Sequence, residues 1–218
     1  HIFAGVFGGL YSTWVMPVYF ISMFTLVIGN VTAVYQQSVK RMLAYSSISH
    51  AGYMLLTVSA RQSSSTSSIL FYSLAYTLAT LTAFAVFKLV SEYQTGRTEK
   101  PANFQSFEGL AKNNPFLAFC FTVSLLSLAG IPLTAGFWGK FFVFTDTFNR
   151  NIVYPIILAI LMSAVGIYYY FKGIIAVYFK QGDIQKIEIS TLYQVALGLT
   201  TLGTLVLGLF PNLVKSLF

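Results

Sequence analysis

Charge is what this chain has least of. Asp, Glu, Lys and Arg make up only 9% of its 218 residues, and just six are acidic, against about 25% charged in an ordinary soluble domain. With 56% hydrophobic residues besides, the chain does not have water as its main solvent and reads as an integral membrane protein. Cysteine is nearly missing too. Cys120 stands alone in an apolar run, which excludes a disulfide framework and any Cys-based metal or cluster site. No glycine-rich run ends in the Lys-Ser/Thr of a phosphate loop, and no dinucleotide fingerprint, catalytic triad or metal-ligand spacing is present. No metal and no cofactor is therefore expected in the chain itself.

What is there is a series of long apolar runs. A membrane span takes about 20 apolar residues. Trp14–Tyr35, Leu43–Ala60, Ile69–Val90, Ile152–Phe179 and Leu192–Phe210 each answer to that. Pro115–Phe148 is longer. Its 34 residues would reach roughly 50 Å as one helix, against about 30 Å of hydrocarbon, so it must be broken. Gly130-Ile131-Pro132 and Thr134-Ala135-Gly136 supply the break, since Pro132 donates no backbone hydrogen bond and disfavours helix at Ile131. The expected fold is all-α: a polytopic transmembrane bundle of about six spans, one of them broken near Gly130–Gly136. Residues 1–218 form a single membrane domain, with 1–12 the remnant of a preceding helix and 91–114 a solvated connector carrying a short interfacial helix near Phe104–Leu110. The chain opens at His1 without a methionine and is apolar at once, so it reads as a piece of a longer protein.

The few basic residues mark sides. The loops and helix ends after the first, third and fifth spans hold Lys40, Arg41, Lys88, Arg97, Lys100, Lys112, Lys172, Lys180 and Lys186. The other side holds Arg61, Arg150 and Lys215. The positive-inside rule then puts connector 91–114 in the cytoplasm and the C-terminus outside, periplasmic in a bacterial inner membrane. Basic residues spread over several loops also exclude a nucleic-acid partner, which would need one basic stripe. The lipid bilayer is the partner they imply.

Lys140 is in neither group. It stands inside the apolar run, eight residues from Pro132 and eight from Phe148. An ionisable group beside a helix break in a membrane is a candidate ion or proton site. The bland alternative is a lysine snorkelling to the interface. No acid is an obvious partner, because Asp146, six residues on, falls on a different helix face. His50 lies near the middle of its span, and imidazole takes and gives protons near neutral pH; its alternative is a hydrogen-bonded core histidine. Ser46, Ser47 and Ser49 surround it as candidate water-lining groups, although such serines commonly bond back to the preceding turn. Tyr168–Tyr170 reads as a belt or packing cluster.

Two stretches resemble the antiporter-like proton-pumping subunits of respiratory complex I, NADH–quinone oxidoreductase. They are Ser38–Tyr53, SVKRMLAYSSISHAGY, and Ser127–Phe141, SLAGIPLTAGFWGKF. The second is most similar to the subunit N type (subunit 2 in organelles), because a lysine follows the Gly-Phe-x-Gly run; the subunit M type is expected to carry glutamate there. The resemblance implies the C-terminal portion of a fourteen-helix protein built from two inverted five-helix repeats. Lys140 would be the broken-helix lysine and His50 the central-axis histidine. It further implies proton translocation coupled to electron transfer, with NADH, flavin, iron–sulfur clusters and quinone all held by partner subunits of the membrane and peripheral arms. A multisubunit sodium/proton antiporter, which shares the fold, and a non-transporting structural subunit are the two alternatives.

Overall fold

A computed structural model describes residues 8–60, 62, 64–95, 103–148, 153–182 and 184–215. Every regular element among them is helical. After a 3-10 turn at Gly8–Leu10 come α1 (Tyr11–Val34), α2 (Val39–Ala60) and α3 (Ser65–Thr95). A second 3-10 turn, Phe104–Phe107, and the single turn α4 (Leu110–Asn113) lead into α5 (Pro115–Ala129) and α6 (Ala135–Phe148). Then follow α7 (Val153–Phe179), α8 (Thr191–Leu209) and the short α9 (Asn212–Lys215). The sides of the bundle are apolar and exposed, with Phe20, Phe24, Ile160, Leu161, Tyr168 and Leu199 all more than half accessible. That is the surface expected of a protein dissolved in lipid.

Four helices, Tyr11–Val34, Ser65–Gln94, Val153–Phe179 and Thr191–Leu209, are long and apolar enough to cross a membrane by length and composition. The protein is a polytopic helical membrane protein. Two expected spans fall outside that set for physical reasons. Helix α2 has the length, 22 residues, but spends much of it on Lys40, Arg41, four serines and His50. Helices α5 and α6, with 15 and 14 residues, are the two halves of the broken run, and each half alone is shorter than the ~20 residues a crossing needs.

Several boundaries differ from those read in the sequence. The break is narrower than expected, covering 130–134, because Ala135 and Gly136 already belong to α6. Tyr11 and Ser12, placed in the remnant 1–12, belong to α1; the rest of that remnant, 1–7, lies outside the described residues. The connector 91–114 begins as helix, since α3 runs on to Thr95, and 96–102 lie outside the described residues with Arg97 and Lys100. Ser65–Ser68 already form the first turn of α3. At both ends of α3 the helix continues past the apolar stretch that signalled it, because serine and glutamate can extend a helix already formed.

Helix α1 lies along α2, α3 crosses α5 and α6, and α7 closes the bundle against α1 and α5. The largest core cluster joins Met42, Val86, Phe107, Phe121 and Tyr170 and so welds the connector to α2, α3, α5 and α7. A strap at 184–189 is fixed by two asparagines at the start of α5. Asn113 Nδ2 donates to Ile184 O at 2.7 Å, and the Asn114 amide holds both Gln185 O (3.0 Å) and Ile187 N–H (2.7 Å).

Candidate functional site

The geometry of the break explains how a lysine is tolerated inside it. Gly130 adopts the left-handed conformation, φ 83°, which glycine reaches without a Cβ penalty. Its N–H donates to Ser127 O (3.0 Å) while Ile131 N–H donates to Leu126 O (3.0 Å). That pair of bonds is a Schellman-type helix end. It leaves the Ala129 carbonyl without a helical partner, at the negative end of the α5 dipole. Lys140 takes that place. Its Nζ donates to Ala129 O at 2.8 Å and to Ser163 Oγ on α7 at 3.1 Å. The side chain is only 6% exposed, so it does not snorkel to the surface.

Two glycines make room for this. A Cβ on Gly130 would stand 2.8 Å from Lys140 Cδ, and one on Gly136 would overlap the Ser127 carbonyl. The lysine stem therefore lies against bare backbone, and the first turn of α6 is docked on α5. Gly136 N–H donates to Ser127 Oγ at 3.1 Å. Gly136 is thus not part of the break itself but of the contact that closes it.

His50, 5% exposed, is held at both ring nitrogens. Nδ1 and the Tyr72 hydroxyl are 2.8 Å apart, and Nε2 and the Tyr170 hydroxyl 3.1 Å. A neutral imidazole donates at one nitrogen and accepts at the other. One tyrosine therefore donates to the ring while the other accepts from it, and reversing both hydroxyls exchanges the tautomers. Tyr76 lies 4.8 Å from the ring, centroid to centroid. Behind His50 a cavity of about 10 Å³ is lined by Tyr72, Tyr76, Ser127, Gly136 and Gly139, the volume that one water needs at the least.

Tyr53 stands between the histidine and the lysine. Its ring centroid is 6.3 Å from that of His50 and 5.3 Å from Lys140 Nζ, so the amine and the imidazole are at most about 12 Å apart, the two legs laid end to end. Of the three serines, Ser46 lies against the Tyr170 hydroxyl that holds the ring. Ser46 and Ser47 both donate to Leu43 O, at 2.8 and 3.0 Å. Ser49 is buried against Gly29 of α1 and its hydroxyl has no partner.

The fold matches a known family over most of its length. Residues 2–167 fit the sequence profile described as NADH:quinone oxidoreductase/Mrp antiporter, transmembrane. The chain belongs to that family. Among curated members, NADH-quinone oxidoreductase subunit N of Cytophaga hutchinsonii is 42% identical over 200 residues, which is 88% of this chain and 41% of that protein. Respiratory complex I from Thermus thermophilus with bound aureothin holds a chain 33% identical, TM-score 0.81, covering 92% of this chain and 45% of that one. The Mrp complex from Dietzia sp. superposes with TM-score 0.85 at 19% identity, covering 98% of this chain and 47% of that one; that likeness is one of fold alone. The chain thus spans less than half the length of these family members.

Against that family background, the residues that sequence reasoning missed are Ser163, Tyr72 and Tyr170, brought in from α3 and α7, and Tyr53, one turn along α2 from His50. Of Tyr168–Tyr170, only Tyr168 points to lipid, at 65% exposed. Tyr169 and Tyr170 are buried, and the Tyr169 hydroxyl donates to Asn30 Oδ1 at 3.1 Å. Their signal was there in the sequence as tyrosine spaced one turn from Gly166 and two turns from Ser163, a stripe that a belt reading overlooks.

Proposed function

We propose that this chain is part of a proton-translocating membrane subunit, of the subunit N type, in an NADH–quinone oxidoreductase. The observation that carries the reading is the buried Lys140 amine held on Ala129 O and Ser163 Oγ, with no carboxylate against it among the described residues. A lysine so placed can exist in either protonation state without breaking an ion pair. His50 and its two tyrosines form the second proton-carrying group.

Charge on one group is felt by the other. At a separation of 12 Å and an effective dielectric near 20, two unit charges repel by about 1.4 kcal/mol, a factor of ten in equilibrium. Because 12 Å is the greatest separation the geometry allows, the repulsion is at least of that size. Protonating one site therefore drives the other to release its proton, which is the step a pump needs. Electron transfer takes place in partner subunits of the membrane and peripheral arms, which hold NADH, flavin, iron–sulfur clusters and quinone; this chain performs no redox chemistry. Six spans, a cytoplasmic connector and a periplasmic C-terminus in a bacterial inner membrane complete the proposal.

A second reading is a subunit of a multisubunit sodium/proton antiporter, favoured by the superposition on the Mrp complex. The higher identity to the complex I chain at a similar TM-score supports the first. A purely structural subunit would have no use for a lysine with two bonded partners near a buried histidine held by two tyrosines. The deciding experiment is Lys140→Ala in the intact complex, with proton uptake by inverted membrane vesicles followed during NADH oxidation. Loss of uptake with retained electron transfer supports the pump. Unchanged coupling overturns it, and sodium-dependent exchange without any redox arm decides for the antiporter.

A further inference from the structure

Among the described residues one carboxylate is deeply buried. Asp146 lies near the end of α6 and is 3% exposed. Its Oδ1 accepts a hydrogen bond from Ser64 Oγ at 2.6 Å, and its Oδ2 is buried with no hydrogen-bonding partner. Buried polar atoms are nearly always satisfied, and a carboxylate is the most costly of them to leave bare. The asymmetry has a chemical meaning. Oδ1 is engaged by the serine hydroxyl, while Oδ2 has its lone pairs open to a donor.

The way from His50 to that acid runs down one face of α3. Ser64, Ser68, Tyr72 and Tyr76 are spaced by four residues, so they stack along one side of the helix, with a slow drift. The Ser68 N–H donates to Ser64 O at 2.9 Å, so the helical turn is continuous through the stripe. Tyr72 reaches His50, Ser64 reaches Asp146, and Ser68 sits between them. Its hydroxyl is also buried without a hydrogen-bond partner, the residue being 1% exposed. One unpartnered buried polar atom, Ser68 Oγ, thus lies on the stripe that joins the histidine to the acid, and a second, Asp146 Oδ2, lies at its end. Each four-residue step is about 6 Å, the span that one bridging water covers.

We propose that Tyr72, Ser68, Ser64 and Asp146 form the proton-release path from His50 to the face of the bundle where α2 meets α3, with Asp146 Oδ2 as the last proton acceptor. The proposal rests on the pump reading above and adds the side on which the proton leaves. The step balances simply: Asp146 carboxylate gains a proton carried along the α3 hydroxyls and bridging water from imidazolium, becomes a neutral carboxyl, and returns the proton to bulk water. No electron moves.

The test uses the full-length subunit in its native complex in inverted vesicles, with proton translocation and NADH oxidation measured together. Asp146→Asn keeps the shape and the Ser64 bond but cannot titrate, so translocation per NADH should fall several-fold while the complex assembles. Asp146→Glu should restore most of it. Ser68→Ala, which removes the hydroxyl without adding bulk, should lower translocation as well, and it serves as the test should Asp146→Asn not assemble. Native coupling in both Asp146→Asn and Ser68→Ala overturns the path, as does a loss in Asp146→Asn that Asp146→Glu fails to restore. A Lys140→Ala control separates the two levels: if it pumps normally the parent reading fails, and if it alone is impaired only the α3 path fails.

Discussion

The Lys140 amine donates to the carbonyl oxygen of Ala129 at 2.8 Å, across the gap between two half-helices. That carbonyl is free only because Gly130 ends α5 in a left-handed turn. The cation thus occupies a position that the chain break itself creates, and the stem of the lysine fills the space left by the missing glycine side chain.

Lys140→Arg separates charge from proton transfer. Guanidinium remains charged in proteins and cannot serve as a proton donor at working pH. The variant is expected to assemble, because a cation still caps α5, and to lose translocation by about 100-fold, the lower end of what a positioned proton-transfer group contributes. Vesicle proton uptake set against quinone reduction measures both.

Gly130→Ala should destabilise the assembled subunit by about 2 kcal/mol or more. A left-handed alanine costs ~1–2 kcal/mol by itself, and its Cβ would also press on Lys140 Cδ. Thermal inactivation of the purified complex reads the loss, and Gly109, left-handed but remote from the lysine, provides the comparison: Gly109→Ala should leave the coupling ratio intact.

Removing the hydroxyl of Tyr72 and replacing His50 by glutamine should not add. Each breaks the same hydrogen-bonded unit, so the double variant Tyr72→Phe/His50→Gln should lose little more translocation than His50→Gln alone. Simple additivity between the two would mean that Tyr72 acts elsewhere.

Asn114→Ala removes two hydrogen bonds to the strap at 184–189 and leaves the Ile187 N–H buried. A cost of about 1–3 kcal/mol follows. It should appear as faster proteolytic nicking in the strap, with proton coupling unchanged, since no part of the strap touches His50 or Lys140.

Much of this was legible in the sequence for one reason: hydrocarbon permits few structures. Apolar runs had to be helices, a 34-residue run had to break, and Pro132 and Gly130 said where. The depth of Lys140 followed from its distance to both ends. What could not be read is anything that depends on which helix faces which. Ser163 meets the lysine and Tyr170 meets the histidine from α7, far along the chain, and nothing in a linear pattern pairs them. Asp146 was dismissed as a partner for Lys140 because the helix faces differ; its real contact, Ser64, belongs to another element. Of the serines beside His50, Ser46 meets Tyr170 whereas Ser49 packs on Gly29 of α1, a difference that nearness in sequence does not show.

The cavity behind His50 holds about 10 Å³, and Lys140 is not among the residues that line it. Histidine and lysine are two polar islands with the Tyr53 ring set between them. Anything exchanged between the two has to pass the edge of one aromatic side chain.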